Sequence, residues 1–104
     1  MPYIIKTGQA VGDLSTTKAV LAPISDATYS IRSVLVSASA AASITIEQSD
    51  GVDMIGPLYF SATGGCVLGP FEPGAYRTAS GNGINALNHT DASVATVTVE
   101  AWIL

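Results

Sequence analysis

His89, the only histidine in the chain, lies in the run Asn88-His89-Thr90-Asp91. As the base of a nucleophile triad it would need Asp91 behind it and a serine in front. No Gly-x-Ser-x-Gly elbow exists to present that serine. The run is polar and turn-like, so a solvated turn histidine is expected rather than a catalytic base. Cys66 is also single, which rules out an internal disulfide, and one cysteine with one histidine cannot build a zinc site within the chain. Its setting, Gly64-Gly65-Cys66-Val67-Leu68-Gly69, holds no cation to stabilise a thiolate, so a buried, inert thiol is expected.

The carboxylates fare no better. Asp50-Gly51-Val52-Asp53 lacks the oxygen-ligand spacing of a calcium loop and reads as a turn. Glu47, Glu72 and Glu100 could be imagined as a glycosidase pair, but the chain is small for a substrate cleft, and solvated surface acids are expected. Gly81-Asn82-Gly83 precedes the apolar residues of a short strand, so it is no dinucleotide fingerprint, and Asn88-His89-Thr90 matches a glycosylation pattern by chance. No catalytic residue, metal ligand or cofactor is expected, and the protein reads as a non-enzyme. Among the aromatics, Trp102 stands beside Glu100 on the polar side of its segment, where an outward ring suits a protein contact or a sugar platform, unless the chain end folds over it.

Composition narrows the classes. Charged residues are 12% of the 104-residue chain, against about 25% in ordinary soluble domains, while the apolar set reaches 48%. Ser, Thr, Ala and Gly must therefore cover much of the surface, and such a surface is cheap to desolvate against other protein. Eight acids against four cations give a net charge of −4. Four scattered cations make no basic stripe, so nucleic-acid binding is not expected. Met1 to Lys6 lacks a basic start followed by a long apolar core, and no apolar run approaches about 18 residues, so neither a signal peptide nor a membrane partner is expected.

Any functional residues must be positioned by strands. From Asp50 to Asn88 short apolar runs are cut apart by Gly, Pro and Asn, each too short for a helix and each break carrying turn chemistry. Strands are expected at Pro57–Ser61, Cys66–Gly69, Ala75–Thr78 and Ile84–Asn88. Tyr59 and Phe60, being adjacent, point to opposite faces. Upstream, Lys18–Ala22 is stopped by Pro23. Tyr29–Ser37 places Val34 and Val36 on one side with Ile31 and Leu35 on the other, which suggests a strand covered on both faces or one crossing an oligomer contact. The small residues 37–43 form a corner, and Ile44–Gln48 alternates with Ile44 and Ile46 inward, Thr45 and Glu47 outward. In 94–103, Ala95, Val97, Val99, Ala101 and Ile103 share an apolar face opposite Val94, Thr96, Thr98, Glu100 and Trp102. Tyr3-Ile4-Ile5-Lys6 is either the first strand or an arm reaching to a neighbour. The expected fold is one all-β domain spanning 1–104, an antiparallel, jelly-roll-like β-sandwich of about eight short strands, with 1–7 an extended arm or an edge strand.

The runs Ile31 to Ser39, Gly56-Pro57-Leu58-Tyr59-Phe60 and Pro73 to Gly81, leading into Asn85-Ala86-Leu87-Asn88, resemble small β-sandwich structural proteins of tailed bacteriophages and prophages. The similarity covers about Tyr29 to Leu104. It implies a virion component made in the host cytoplasm, a decoration or cement protein on the capsid exterior that binds the major capsid protein as a homotrimer. The expected contacts are Tyr3, Ile4, Ile5, Lys6 and Trp102, and deleting residues 1–7 is expected to abolish capsid binding. The alternative is a glycan-binding receptor module of a tail fibre or spike, stacking sugars on Trp102 or Tyr76.

Overall fold

A computed structural model describes residues 4–12, 17–88 and 94–104, so Tyr3, His89 and Asp91 lie outside the described residues. The described chain forms eight strands: β1 (Ile4–Gly12), β2 (Lys18–Leu21), β3 (Tyr29–Ala38), β4 (Ala42–Gln48), β5 (Asp53–Phe60), β6 (Gly64–Leu68), β7 (Ile84–Asn88) and β8 (Ala95–Ile103). They build two antiparallel sheets. Sheet A has the order β1-β8-β3-β6 and sheet B the order β2-β7-β4-β5.

The pairings explain that order. β1 pairs with β8, β2 with β7, β3 with β6 and β4 with β5, so the chain is one long antiparallel ribbon folded back at the β4–β5 turn. Pairing β3 with β8 and β4 with β7 then rolls the ribbon into two facing sheets. This is the jelly-roll arrangement expected from the number and spacing of the strands. Inward side chains from both sheets form one core, in which Ile31, Val34, Val36, Ile44, Ile46, Ile84, Val97 and Val99 have no exposed surface. β8 keeps the alternation read from its sequence, its inward residues Ala95 to Ala101 all buried.

β3 corrects the reading of apolar groups on both sides. A bulge lies between Ile31 and Ser33 in its pairing with β8, which inserts Arg32 and reverses the phase of the strand. Ile31, Val34 and Val36 consequently all face the core, and only Leu35 is left outside, half exposed. In β4, Thr45 and Glu47 do face away from Ile44 and Ile46, but they are buried rather than solvated. Glu47 accepts a hydrogen bond from the Thr17 hydroxyl at 3.5 Å. Asp53, not a basic residue, stands opposite Glu47 on β5.

Ala75–Thr78 is not a strand. Its only ladder contact is the isolated bridge between Arg77 and Ser30. Gly74 N donates to the Ser30 hydroxyl, Tyr76 O accepts from Ile31 N, and Thr78 donates its amide to Tyr29 O while its hydroxyl oxygen accepts from Tyr29 N. Beyond that, Ala79 N is taken by the Gln48 side chain at 2.6 Å, and the next backbone bond to a distant segment runs from Gly81 N to Ala27 O, outside any strand. The segment is a strap laid along the start of β3, and its turn chemistry at Glu72-Pro73-Gly74 mimics a hairpin.

The two sheets carry matching interruptions at one edge each. In β5, Gly56 and Pro57 stand together opposite Thr45, between the pairs Ile44 with Leu58 and Ile46 with Ile55. After β6, Gly69 and Pro70 bulge beside Arg32 before Phe71 N donates to Arg32 O at 2.7 Å. Both glycines have positive φ, 104° and 106°, and a Cβ on either would lie 2.7 or 2.6 Å from the neighbouring strand's carbonyl oxygen. Both Gly-Pro bonds are cis.

Candidate functional site

Two of the residues singled out from the sequence meet on the outer face of sheet A. Residues at alternate positions share a face of a sheet, and the register fixes which ones align. Ile5 stands opposite Trp102, which stands opposite Ser30. The next row is Thr7, Glu100 and Ser33, and the third is Gln9, Thr98, Leu35 and Val67. A fourth row holds Val11, Thr96, Ser37 and Gly65. Ile5, Val11, Leu35 and Val67 are 48%, 50%, 51% and 68% exposed, large apolar side chains on one face.

Within the four strands the charges on that face are Arg32 and Glu100, which form an ion pair, and at the margin Arg77 of the strap extends the first row through its bridge to Ser30. The Arg32 guanidinium also lies over the Trp102 ring, 5.9 Å from its centroid. Arg32 reaches this position because the bulge gives β3 an extra outward side chain. The pair neutralises the two strand charges, and the cation over the ring favours that orientation of the indole. Gln9 Nε2 donates to Thr98 Oγ1 across the strands, which satisfies another polar pair at home. The arrangement is a sparsely charged surface of apolar and hydroxyl side chains, with a tryptophan set against a paired arginine. Chemically it can exclude water from a partner; nothing on it is placed to transfer a proton or attack a bond.

Arg32→Ala is expected to lower stability by up to about 1 kcal/mol, because both partners are partly exposed and the pair is screened by salt. Urea titration at low and high salt checks this, with a smaller difference at high salt.

The other expected contacts fall differently. Ile4, Ile5 and Lys6 belong to β1, paired in register with Ile103, Trp102 and Ala101. Ile4 and Lys6 point to the opposite face from Ile5, and Ile4 is 70% exposed. The chain end does not fold over Trp102: Leu104 N donates to Thr28 O at 2.9 Å, so the chain runs on along β3. Tyr76 packs edge-to-face on Phe71, ring centroids 4.8 Å apart. Cys66 points inward beside Val36 and packs against the core. Glu47 and Glu100 sit on different sheets, so they form no acid pair. The described residues enclose no pocket and bring together no group of three or more metal-ligating side chains.

Leu35, Val67 and Val11 were not singled out from the sequence as contact residues. The signal existed in Leu35, an apolar residue out of phase with its neighbours, but its face depends on a bulge that composition does not reveal.

No protein-family model matches the sequence, and no curated protein is similar to it in sequence. Among solved structures, a chain of the capsid asymmetric unit of cyanophage Pam1 aligns with a TM-score of 0.51 at 9% identity, over 95% of this chain and 83% of that one. The likeness is one of fold. A chain of the virus-like particle of extra small virus from the giant freshwater prawn Macrobrachium rosenbergii aligns at 0.42 and 13% identity, over 99% and 80% of the two chains. The capsular polysaccharide assembling protein CapF of Staphylococcus aureus aligns at 0.40 and 14% identity, over 99% of this chain and 24% of that one. At those two scores neither likeness bears on the argument.

Proposed function

We propose that the protein is a non-enzymatic virion component, a decoration protein that seats the outer face of sheet A on the exterior of a phage capsid and stabilises the shell of major capsid protein. The observation that carries this reading is the sparsely charged outer face, where Ile5 stands beside a tryptophan against Arg32 and Leu35, Val67 and Val11 lie exposed in the rows beyond. Interfaces of this kind concentrate binding energy in a few central aromatic and arginine anchors, with apolar neighbours excluding water. The chain's resemblance to phage structural proteins supports the assignment, as does the fold it shares with a chain of the Pam1 capsid. Copies joined in one oligomer would add avidity.

Replacing Leu35 and Val67 together with glutamate tests the reading. Both side chains are exposed, so the fold should be retained, with a thermal midpoint close to the parent's. Two carboxylates buried without partners in the contact should weaken co-sedimentation with shells at least about 100-fold. Unchanged co-sedimentation would remove sheet A from the contact. Deleting residues 1–7 is a poorer test, because it also strips Ile4 to Thr7 from their ladder with β8. Binding to glycans with quenching of Trp102 would instead favour a receptor module, although both candidate rings, Trp102 and Tyr76, already contact Arg32 and Phe71.

A further inference from the structure

Two sheets have four edges, and three of them are obstructed. β5 carries Pro57, which has no amide to donate, within the Gly56-Pro57 bulge. β6 runs for five residues and ends on the equivalent Gly69-Pro70 bulge. β2 has only four residues, is irregular between Ala19 and Leu21, and has its Val20 carbonyl lodged beneath Gly8 of β1. These are the devices by which sheet proteins prevent edge-to-edge pairing.

β1 has none of them. It runs nine residues in unbroken register with β8, without proline or bulge, and Ile4 to Thr7 are exposed. Its hydrogen-bonding directions can be assigned. Val94 O and Leu104 N both bond to the β3 side of β8, so the even-numbered residues of β8 face β3 and the odd-numbered ones face β1. The odd β8 residues stand opposite Ile4, Lys6, Gly8, Ala10 and Gly12, which therefore bond inward to β8. Ile5, Thr7, Gln9 and Val11 turn their amides and carbonyls to the open side. The Val11 carbonyl agrees, since it accepts from Lys18 Nζ of β2 at 3.0 Å. Ile5, Thr7 and Gln9 remain as a strand-length row of outward donors and acceptors.

We propose that two copies of this chain pair β1 to β1, antiparallel, about a two-fold axis at Thr7, joining their two four-stranded sheets A into one continuous sheet. The occupant is a second copy because the row is self-complementary: Thr7 faces Thr7, and Ile5 faces Gln9 in both directions, closing about six backbone hydrogen bonds. Lys6, the only charge among the described residues of β1, selects the register. An axis at Lys6 would oppose two like charges, whereas an axis at Thr7 sets each Lys6 opposite Gly8, which has no side chain. Among the described residues β1 is the one edge free of proline and bulge, so the contact is isologous and closes at two copies rather than growing into a fibre. It also carries the outer face across the axis, with Ile5 of each copy flanked on both sides.

Light-scattering mass measurement across a concentration series, with amide hydrogen exchange, tests the pairing. The expected mass is twice that of the chain, and the amides of Ile5, Thr7 and Gln9 gain protection as concentration rises, while those of Lys6 and Gly8 are protected throughout. Thr7→Pro removes an outward amide and leaves the β8 ladder intact, so it should weaken association at least about tenfold. Thr7→Lys provides a second variant: it keeps the amide but sets like charges across the axis, so it should weaken association at low salt and recover at high salt. A wild-type monomer or trimer, or variants that associate as tightly as wild type at low salt, would overturn the proposal.

Discussion

Gly8→Ala is expected to cost at least about 3 kcal/mol, a large part of the whole stability of a domain this size. A methyl group at Gly8 would lie 2.0 Å from Val20 O and 2.6 Å from Leu21 Cδ2. The first of these is backbone, fixed by the β2–β7 ladder, so the clash cannot be relieved by rotating a side chain. Gly8 is the point where sheet A meets sheet B at their shared corner, and prying the strands apart there exposes Ala10 and Leu21 of the core. Gly51→Ala is the control. Nothing lies within 4 Å of its added carbon, and the positive φ of 94° should cost only about 1 kcal/mol. Chemical denaturation of both variants checks the contrast; equal costs would mean that β2 yields at the corner and that the contact with Val20 does not make Gly8 necessary.

Ile46→Ala should cost about 2–5 kcal/mol, since the side chain is fully buried in β4 between Ile55 and Ala86 and its removal leaves a cavity among rigid strands. Leu35→Ala, by contrast, removes a similar volume from the half-exposed outer face of sheet A and should change stability by no more than about 0.5 kcal/mol. The two substitutions separate what holds the fold from what is free to bind. If Leu35→Ala proved as costly as Ile46→Ala, Leu35 would belong to the core and the outer face would lose its central residue.

The difference between those two residues also marks what is legible in the chain. β8 could be read outright because its period of two is unbroken and both faces have distinct chemistry, and Ile84–Asn88 was bounded by Gly83 and a polar turn. β1 to β8 alternate with turn residues at intervals that leave little but a sandwich, so the class of fold followed. Three features did not follow. The insertion of Arg32 shifts β3 by one position, and nothing in Ile31-Arg32-Ser33-Val34 announces a bulge, so local alternation puts Ile31 on the side of Leu35, whereas it packs with Val34 and Val36. Glu47 reads as a solvated acid from local alternation, yet neighbouring strands cover it. Tyr76-Arg77-Thr78 has strand-like residue types, but its hydrogen bonds go to the start of β3 and to side chains. Each is a tertiary effect overriding a local pattern. The same holds for the candidate site: Trp102 and Ile5 were legible one at a time, whereas their alignment across β1 and β8, and the joining of Leu35 and Val67 to the same surface, come from register.

Self-pairing through β1 and docking through the outer face of sheet A use different groups, backbone in one case and side chains in the other. Thr7→Pro should therefore remove the gain from two linked copies while changing a single side chain of the docking face, and the paired glutamates at Leu35 and Val67 should leave the dimer mass unchanged.

The orientation of the protein on a shell tests the central claim most directly. Cryo-electron density of capsids saturated with the protein should place sheet A against the capsid surface, with Leu35, Val67 and Trp102 inside the contact and sheet B facing solvent. Density attached through sheet B, or bare capsids at saturating protein, would contradict it.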